Sequence, residues 1–266
     1  MENVTPGVPL SMSGRTALIT GGSRGIGAAT VQIFRRAGAQ VFFNYRKAEA
    51  QATELISGCG DDSNCRAIRQ ELATPSDGAA LVRAAVEAFG RLDCLVVNHG
   101  VWPPHDIPIE SMSEAQWRCT LGINLDSTFG LVRAAVSQMK QQEPLDNVRG
   151  HIVLVASTAA QRGEAFHADY AASKGALVSL TKSLSSELAS EGIYCNCVAP
   201  GWVDTEMSSA ALTDLETSKK VLAAIPLGRP ARVEEIAGPI LFLCTPLAGF
   251  ISGEIFNVNG GAVLVG

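Results

Sequence analysis

Short apolar runs alternate with longer segments of mixed polarity along most of the chain. The runs RTALIT (15–20), LDCLVVN (92–98) and HIVLVA (151–156) hold few polar residues, as expected of strands buried on both faces of a parallel sheet. The segments between such runs repeat apolar residues at the spacing of a helix. This alternation predicts an α/β fold with a doubly wound parallel sheet, helices on both faces and right-handed crossovers.

The same pattern sets approximate bounds for the elements. Strands are predicted at 15–20, 39–44, 65–70, 92–98, 151–156, 194–198 and 254–258, which gives a sheet of about seven strands. Helices are predicted at 28–38, 48–57, from 75 to about 88, from about 117 to 140, around Tyr170 to about 190, and at 232–243. Residues 1–13 read as a loose lead-in and residues 14–266 as a single domain, because no repeat, low-complexity tract or linker divides them.

The composition limits the classes of partner. Of the 266 residues, 47% are hydrophobic and 18% are charged, which is typical of a globular protein. A formal net charge of −5 disfavours binding to nucleic acid or to an anionic membrane. No apolar run approaches the roughly 20 residues of a membrane span, and the N-terminus lacks the basic and apolar regions of a signal peptide. We therefore expect no nucleic-acid partner and no membrane partner.

The seven cysteines are scattered along the chain, and neither they nor the four histidines have the spacing of a metal site. We interpret the cysteines as thiols that stay reduced in the cytoplasm. The sequence thus predicts a cytoplasmic protein without a bound metal.

Tyr170 and Lys174 lie four positions apart in HADYAASKG, so a helix would place them on one face about 6 Å apart. A free tyrosine has a pKa of about 10, and a nearby cation lowers it towards the range useful for proton transfer. Tyr170 is therefore a candidate proton donor, and Lys174 is the nearby cation that would lower its pKa. Taken alone, the spacing is more typical of a half-buried tyrosine beside a solvated lysine, so other motifs must decide between the two.

The segment TGGSRGIG (20–27) joins the first predicted strand to the first predicted helix. Glycines allow a backbone to approach a pyrophosphate closely, and the helix N-terminus behind them offers free N–H groups and a partial positive charge. A glycine turn between strand and helix is common in proteins. The spacing and the position after the first strand nevertheless favour a dinucleotide site.

With these motifs the chain resembles the short-chain dehydrogenase/reductase family, and within it most closely the branch of the β-ketoacyl carrier-protein reductases. The resemblance runs from about Gly14 to Gly261 and implies a single-domain Rossmann-type fold. Its motifs follow the family order: TGGSRGIG, Asn98 with Gly100, Asn124, Ser157, Tyr170 with Lys174, Pro200-Gly201 with Thr205, and NVNGG (257–261).

The resemblance implies a catalytic role for four of these residues. Tyr170 exchanges a proton with the substrate oxygen, and Lys174 lowers the pKa of that tyrosine and binds the nicotinamide ribose. Ser157 holds the carbonyl oxygen, and Asn124 interrupts a helix and holds a water that links Lys174 to solvent. Taken singly, Ser157 could be a strand-end cap and Asn124 an ordinary helical asparagine; their occurrence with Tyr170 favours the catalytic reading.

The end of the second strand bears on the choice of nicotinamide cofactor. Tyr45 stands where NAD-dependent members of the family carry an aspartate, and Arg46 follows it. With Arg24 in the glycine loop, two guanidinium groups would face the 2′-phosphate of NADP(H), the cofactor we expect. The residues that the resemblance assigns to cofactor binding are Gly21, Ser23, Arg24, Gly25, Ile26, Gly27, Tyr45, Arg46, Glu71, Leu72, Asn98, Gly100, Tyr170, Lys174, Pro200, Gly201, Val203 and Thr205.

Three features depart from the family pattern. His99 replaces the alanine of the usual Asn-Ala-Gly turn, for which we expect a packing role, with contact to the cofactor ribose as the alternative. Gly130 and Ser186 are uncharged where carrier-protein reductases have basic residues that meet the acidic carrier. Aromatic and bulky residues around the predicted cleft indicate an apolar pocket: Trp102, Pro103, Pro104, His105, Phe166, His167, Trp202 and Met207.

The sequence therefore predicts an NADP(H)-dependent oxidoreductase that interconverts a ketone and a secondary alcohol, with a small free carbonyl or alcohol as substrate. A segment at about 202–226 is expected to cover that substrate. The alternative is a 3-oxoacyl-acyl-carrier-protein reductase; an isomerase or dehydratase, or a regulator that binds the nucleotide without redox chemistry, is less favoured. The resemblance further implies a homotetramer. Its interface would include the helix face formed by Ala176, Leu177, Leu180 and Leu184. The same residues could instead pack in the hydrophobic core.

Overall fold

A computed structural model describes residues 10–60 and 63–265 of the chain. Seven strands lie in this described part: β1 (Thr16–Ile19), β2 (Gln40–Tyr45), β3 (Cys65–Arg69), β4 (Cys94–Val97), β5 (Gly150–Val155), β6 (Ile193–Pro200) and β7 (Ile255–Val258). They form one sheet in the order β3-β2-β1-β4-β5-β6-β7, and all neighbouring pairs are parallel. The predicted doubly wound parallel sheet is thus confirmed.

The helices fall between the strands, as the alternation of the sequence predicts. They are α1 (Gly25–Arg36), α2 (Glu49–Gly58), α3 (Pro75–Phe89), α4 (Glu114–Leu121), α5 (Ser127–Gln141), α6 (Ala159–Arg162), α7 (Ala168–Leu188), α8 (Ser209–Thr213), α9 (Leu215–Ala223) and α10 (Val233–Leu243). The predicted segment at about 202–226 contains the two short helices α8 and α9.

The sheet is buried on both faces. Each strand alternates side chains between the two faces, so neighbours on β1 belong to different cores: Leu18 packs with the cluster under α3, α5 and α7, and Ile19 packs with the cluster that includes α1 and α10. β1 lies between β2 and β4, so the strand order reverses there. Ligands of open α/β sheets bind at the carboxyl ends of the strands beside such a reversal.

Local sequence signals account for several helix ends. Thr74 caps α3 by accepting from the backbone N–H of Asp77, whose carboxylate accepts in turn from the N–H of Thr74. Pro75 stands in the first turn, where it removes no helical hydrogen bond, and Gly90 ends the helix in the left-handed conformation with φ 79°.

The helix expected from about 117 to 140 contains a local break, as the resemblance implies for Asn124: a π-helical turn at Gly122–Asp126 separates α4 from α5. The lead-in is not loose throughout its described part, because Met12 is fully buried and its N–H donates to the carbonyl of Ala37 at 2.7 Å. An apolar side chain that fills a gap beside α1 anchors this segment, a contact that no local pattern signals. Residues 1–9 of the predicted lead-in lie outside the described residues.

Candidate active site

A cavity of about 620 Å³ opens at the carboxyl ends of the central strands. It extends from Tyr45 and Arg46, after β2, to Tyr170 on α7 and to Trp202 after β6. A pocket of this size is within the usual range for cofactor and substrate sites. The strand-order reversal between β1 and β4 lies beneath it, where the fold predicts a ligand.

The glycine loop has the backbone geometry of an anion site. Gly21 and Gly25 have positive φ angles of 63° and 54°, which favour glycine. A Cβ on Gly27 would lie 2.1 Å from the carbonyl oxygen of Gly21, so only glycine permits the loop to close on α1. No side chain caps the N-terminus of α1, and its first turn contains no acidic residue. The N-terminal N–H groups therefore face the cavity without a side-chain acceptor, an arrangement that fits a phosphate.

Tyr170, Ser157 and Lys174 come together at the cavity wall, as the sequence predicts. Ser157, on the loop after β5, lies close enough to Tyr170 for its hydroxyl to lower the pKa of the phenol. Lys174 lies one turn along α7 with its ammonium nitrogen 5.9 Å from the centroid of the Tyr170 ring. Its Nζ donates to the carbonyl of Val155 at 2.8 Å.

Lys174 is not among the groups that shift the pKa of Tyr170 in this arrangement, so its effect on that pKa stays a prediction. Burial raises the pKa of Tyr170, the Ser157 hydroxyl lowers it in part, and the Glu164 carboxylate raises it further. Burial also lowers the pKa of Lys174 to about 8. The ammonium points to a carbonyl of β5 and not to the phenol. With its raised pKa, Tyr170 is held in its neutral, proton-donating form.

Asn124 lies in the π-helical turn, so the predicted local break in the helix is present at this residue. Its side chain is buried and fully engaged: Oδ1 accepts from the N–H of Val101 at 2.8 Å, and Nδ2 donates to the carbonyl of Val101 and to Ser173 Oγ, both at 3.0 Å. Asn124 thus ties the turn to the loop after β4 and to α7. Its role as the holder of a water that serves Lys174 stays a prediction.

Arg24 and Arg46 both line the cavity, but each has an acidic partner. Arg24 pairs with Glu206, and Arg46 Nη1 pairs with Glu71 Oε1 at 3.0 Å. Both guanidinium groups expected to face the 2′-phosphate are thus in ion pairs in this structure. Glu71, which the resemblance assigns to cofactor binding, has its carboxylate on Arg46. The four side chains are exposed to solvent, so these pairs are weak and open to exchange of partner.

All but one of the residues predicted to bind the cofactor line the cavity. Gly27 does not face the cavity and acts by letting α1 approach Gly21. The others line it: Gly21, Ser23, Arg24, Gly25, Ile26, Tyr45, Arg46, Glu71, Leu72, Asn98, Gly100, Tyr170, Lys174, Pro200, Gly201, Val203 and Thr205.

Aromatic side chains wall the end of the cavity near Tyr170. Trp102 stacks on the imidazole of His167 with ring centroids 4.8 Å apart, and it meets Trp202 edge to face at 6.1 Å. His167 supports the wall from behind and does not itself line the cavity. The expectation for Phe166 is wrong: its φ of 65° turns it out of the cavity lining, and its side chain is about half exposed. Met207 does line the cavity.

Sequence reasoning missed three charged residues near Tyr170. Arg162 and Glu164 form an ion pair at 2.8 Å in the cavity wall. Asp169 is fully buried and accepts from Thr120 Oγ1 at 2.7 Å, from Gln116 Nε2 at 3.1 Å and from the N–H of Tyr170 at 2.8 Å. Its place in the first turn of α7, directly before Tyr170, is the signal that could have identified it.

Comparison with known proteins agrees with this geometry. Residues 21–263 match the family described as enoyl-(acyl carrier protein) reductase. The chain is 34% identical over 256 residues to the 3-oxoacyl-acyl-carrier-protein reductase FabG of Vibrio cholerae, covering 96% of this chain and all of that protein. The chain belongs to the short-chain dehydrogenase/reductase family. It is therefore an enzyme of an oxidoreductase family.

Two further proteins are similar to this chain, one in sequence and one in structure. L-rhamnose 1-dehydrogenase (NAD(P)(+)) of Azotobacter vinelandii is 35% identical, covering 93% of this chain and 96% of that protein. The crystal structure of a blue fluorescent protein from a metagenomic library, in complex with NADPH, has a TM-score of 0.86 and 32% identity, covering 96% of this chain and all of the other. The family assignment fixes the reaction class and leaves the substrate open.

Residues 10–60 and 63–265 contain no cluster of three histidine, cysteine or acidic side chains able to hold a metal ion. Within the same residues, no helix combines the length and the hydrophobicity needed to cross a bilayer.

Proposed function

We propose that the chain is an NADP(H)-dependent oxidoreductase that interconverts a ketone and a secondary alcohol. The observation that carries the proposal is that Ser157, Tyr170 and Lys174 line one cavity, which begins at an uncapped glycine loop. One end of the cavity suits a pyrophosphate and the other presents a proton donor.

The residues at the Tyr170 end have separable tasks in this reaction. The bound nicotinamide supplies or accepts a hydride, which is the redox chemistry that the side chains cannot provide. In reduction, Ser157 donates a hydrogen bond to the carbonyl oxygen, and Tyr170 transfers its phenolic proton to that oxygen as negative charge develops. In alcohol oxidation the tyrosine receives the proton instead. Lys174 would bind the ribose with N–H groups not used by Val155.

NADP(H) is favoured over NAD(H) by the groups beside Tyr45. The second strand ends without an acidic side chain that would repel a 2′-phosphate, and Arg46 is adjacent. The pairing of Arg46 with Glu71 is exposed, so a phosphate dianion can replace the carboxylate as its partner. The similar blue fluorescent protein was crystallised with NADPH.

A small free carbonyl compound is favoured over a carrier-bound one. Gly130 is a packing residue, because a Cβ there would lie 2.0 Å from the carbonyl of Pro75, so no basic side chain fits at this position. Ser186 is exposed and uncharged. The alternative, reduction of a 3-oxoacyl group on a carrier protein, is supported by the similarity to FabG and by exposed Arg133 and Lys182 on the same two helices.

A spectrophotometric assay tests both alternatives. NADPH consumption is measured with a panel of cyclic, aromatic and sugar-like ketones, with acetoacetyl-CoA, and with the same acyl group on purified acyl carrier protein. We expect turnover of a free ketone, and Tyr170→Phe should reduce kcat by at least about 100-fold while NADPH still binds. A carrier-bound substrate turned over much faster than any free ketone would favour the alternative. Turnover unaffected by Tyr170→Phe would overturn the proposed chemistry.

We further infer a cytoplasmic homotetramer. Support comes from exposed apolar side chains on α4 and α5, namely Trp117 and Phe129, and from fully exposed Phe250 near β7. Leu177 and Leu184 on α7 are buried in the hydrophobic core and so do not contribute to this exposed surface. Six cysteines are free thiols, as expected in a reducing compartment: Cys59, Cys94, Cys119, Cys195, Cys197 and Cys244. Sedimentation equilibrium measures the assembly, and a monomer at micromolar concentration would contradict it.

A further inference from the structure

His99 is an unusual residue at its position, and its imidazole has hydrogen-bond partners at both nitrogens. Nδ1 lies 2.8 Å from Thr20 Oγ1, at the end of β1. Nε2 lies 2.8 Å from Ser127 Oγ and 3.0 Å from the carbonyl oxygen of Ile123. The ring therefore spans from the start of the glycine loop to the π-helical turn. Neither predicted role, simple packing or contact with a ribose, includes this bridge.

The surrounding hydrogen bonds indicate which nitrogen carries the proton. Ser127 Oγ donates to the Ile123 carbonyl at 2.7 Å, so its oxygen is left to accept. Nε2 must therefore be the N–H group that donates towards Ser127 and Ile123, and Nδ1 accepts from the hydroxyl of Thr20. Burial and the nearby Lys174 lower the pKa of His99 to about 4, so the ring is neutral. A neutral imidazole, donor on one side and acceptor on the other, matches this site.

The turn that receives the N–H contains Asn124. A π-helical turn shifts the backbone hydrogen-bond pattern by one residue and is less stable than the α-helix around it. Extra donors to the Ile123 carbonyl therefore favour the π geometry over a regular helix. That geometry in turn positions the side chain of Asn124. The side chain hydrogen-bonds to Val101, the neighbour of Trp102, and to Ser173, the neighbour of Lys174.

We propose that His99 is a positioning residue: by donating from Nε2 to the π-helical turn it fixes Asn124, and through Asn124 it fixes both the helix of Tyr170 and Lys174 and the loop of Trp102. The proposal rests on the proposed oxidoreductase function for its kinetic consequence. Its structural consequence, a stabilised turn at 122–126, is independent of that function. His99 itself contacts no reacting atom in this scheme.

Two conservative substitutions of His99 test the hydrogen bonds of its two ring nitrogens separately. Gln places its amide N–H near the position of Nε2, whereas Asn places its carbonyl oxygen near that of Nδ1. We expect His99→Gln to retain most of kcat. His99→Asn and His99→Ala should lower kcat by about 10- to 100-fold, because small misplacements of catalytic groups are costly. NADPH titrated by fluorescence should bind within about twofold of wild type in His99→Asn, because this variant keeps the acceptor for Thr20 at the start of the glycine loop.

Hydrogen exchange gives a readout that does not need a substrate. Peptides covering 119–128 should exchange at least about fivefold faster in His99→Asn and His99→Ala than in wild type and His99→Gln. His151 provides the matched control, because it is also a buried neutral imidazole, lies on β5 away from the cavity lining, and its pKa is likewise lowered to about 4. His151→Asn should leave exchange in 119–128 and kcat unchanged, even where it lowers the melting temperature.

The outcomes distinguish the two proposals. If wild type shows no NADPH-dependent turnover with any substrate of the panel, the proposed function fails, yet the exchange data still decide the role of His99. If His99→Ala does not fold, the comparison of His99→Gln with His99→Asn decides. Equal kcat and equal exchange in those two variants would overturn the positioning role, as would unchanged exchange in a folded His99→Ala.

Discussion

Ser157 and Tyr170 line the same cavity although they come from different elements, the loop after β5 and the first turn of α7. The Ser157 hydroxyl partly offsets the rise in the pKa of Tyr170 that burial causes. Two hydroxyl groups of different acidity thus converge on one place where a carbonyl oxygen can lie.

Replacing Ser157 by alanine should lower kcat by about 100- to 1,000-fold, because one hydrogen-bond donor to the developing oxyanion is lost. NADPH affinity should not change. Steady-state kinetics with the best ketone of the panel, together with an NADPH titration, provide the measurement. Ser186→Ala, an exposed site on α7, is the control and should behave as wild type. A loss of NADPH affinity equal to the loss of kcat would show that Ser157 supports the cofactor instead.

Replacing Lys174 by methionine should abolish turnover and stabilise the fold. The pKa of Lys174 falls from its ordinary 10.5 to about 8 in the folded protein. The unfolded chain therefore binds more protons between pH 8 and 10.5, and wild-type stability rises with pH across this window. At pH 7 the buried charge of Lys174 lowers the free energy of unfolding of wild type by on the order of 3 kcal/mol. The methionine variant avoids this cost but loses the hydrogen bond to Val155, which is worth about 1 kcal/mol.

Urea unfolding at pH 7 and pH 10 measures this effect. Wild type should gain stability relative to Lys174→Met as the pH rises, and the variant should be more stable at pH 7 by about 2 kcal/mol. Lys182→Met, on the exposed side of the same helix, should show neither change. A variant less stable than wild type at pH 7 would mean that the buried ammonium is not a net cost.

Removing the carboxylate that pairs with Arg46 should sharpen the preference for NADPH. Glu71→Gln leaves Arg46 without its ionic partner at 3.0 Å, so the guanidinium can face a 2′-phosphate without competition. We expect NADPH to bind about threefold tighter and NADH to be unaffected, whereas Arg46→Ala should weaken NADPH binding about tenfold. Glu191→Gln, which breaks the remote surface pair with Lys140, is the control. Equal effects on NADH and NADPH would remove Arg46 from phosphate recognition.

A methyl group at Gly27 should destroy the nucleotide site. Its Cβ would lie 2.1 Å from the carbonyl of Gly21, so the glycine loop must open or α1 must move away from the sheet. We expect Gly27→Ala to show no measurable NADPH binding by calorimetry. At Gly238, inside α10, an added Cβ meets nothing within 4 Å. Gly238→Ala should therefore bind NADPH normally.

The fold could be predicted from the sequence because strands buried in a parallel sheet appear in the sequence as short, nearly continuous apolar runs. The apolar runs at 92–98 and 151–156 became β4 and β5, and the glycine-rich turn at 20–27 marked the junction of β1 and α1. The order of the family motifs then identified Ser157, Tyr170 and Lys174, which the structure brings to one cavity. Such signals are local: each depends on spacing within a strand, a turn or a helix.

Other features depended on contacts between segments that are distant in the chain. The direction of the pKa shift of Tyr170 follows from how deeply α7 is buried, and the carbonyl of Val155 takes up the ammonium of Lys174. The partners of Arg46 and of His99 come from other strands and helices.

By itself, the sequence determined the alternation of strands and helices, the family and the choice of candidate catalytic side chains, since periodicity and motif spacing can be read along the chain. Only the tertiary structure decided their protonation, their ionic partners and the bridge from His99 to the π-helical turn. Burial and electrostatic interaction depend on distances in space, and residues such as Thr20, His99 and Ile123 become neighbours only once the sheet has assembled.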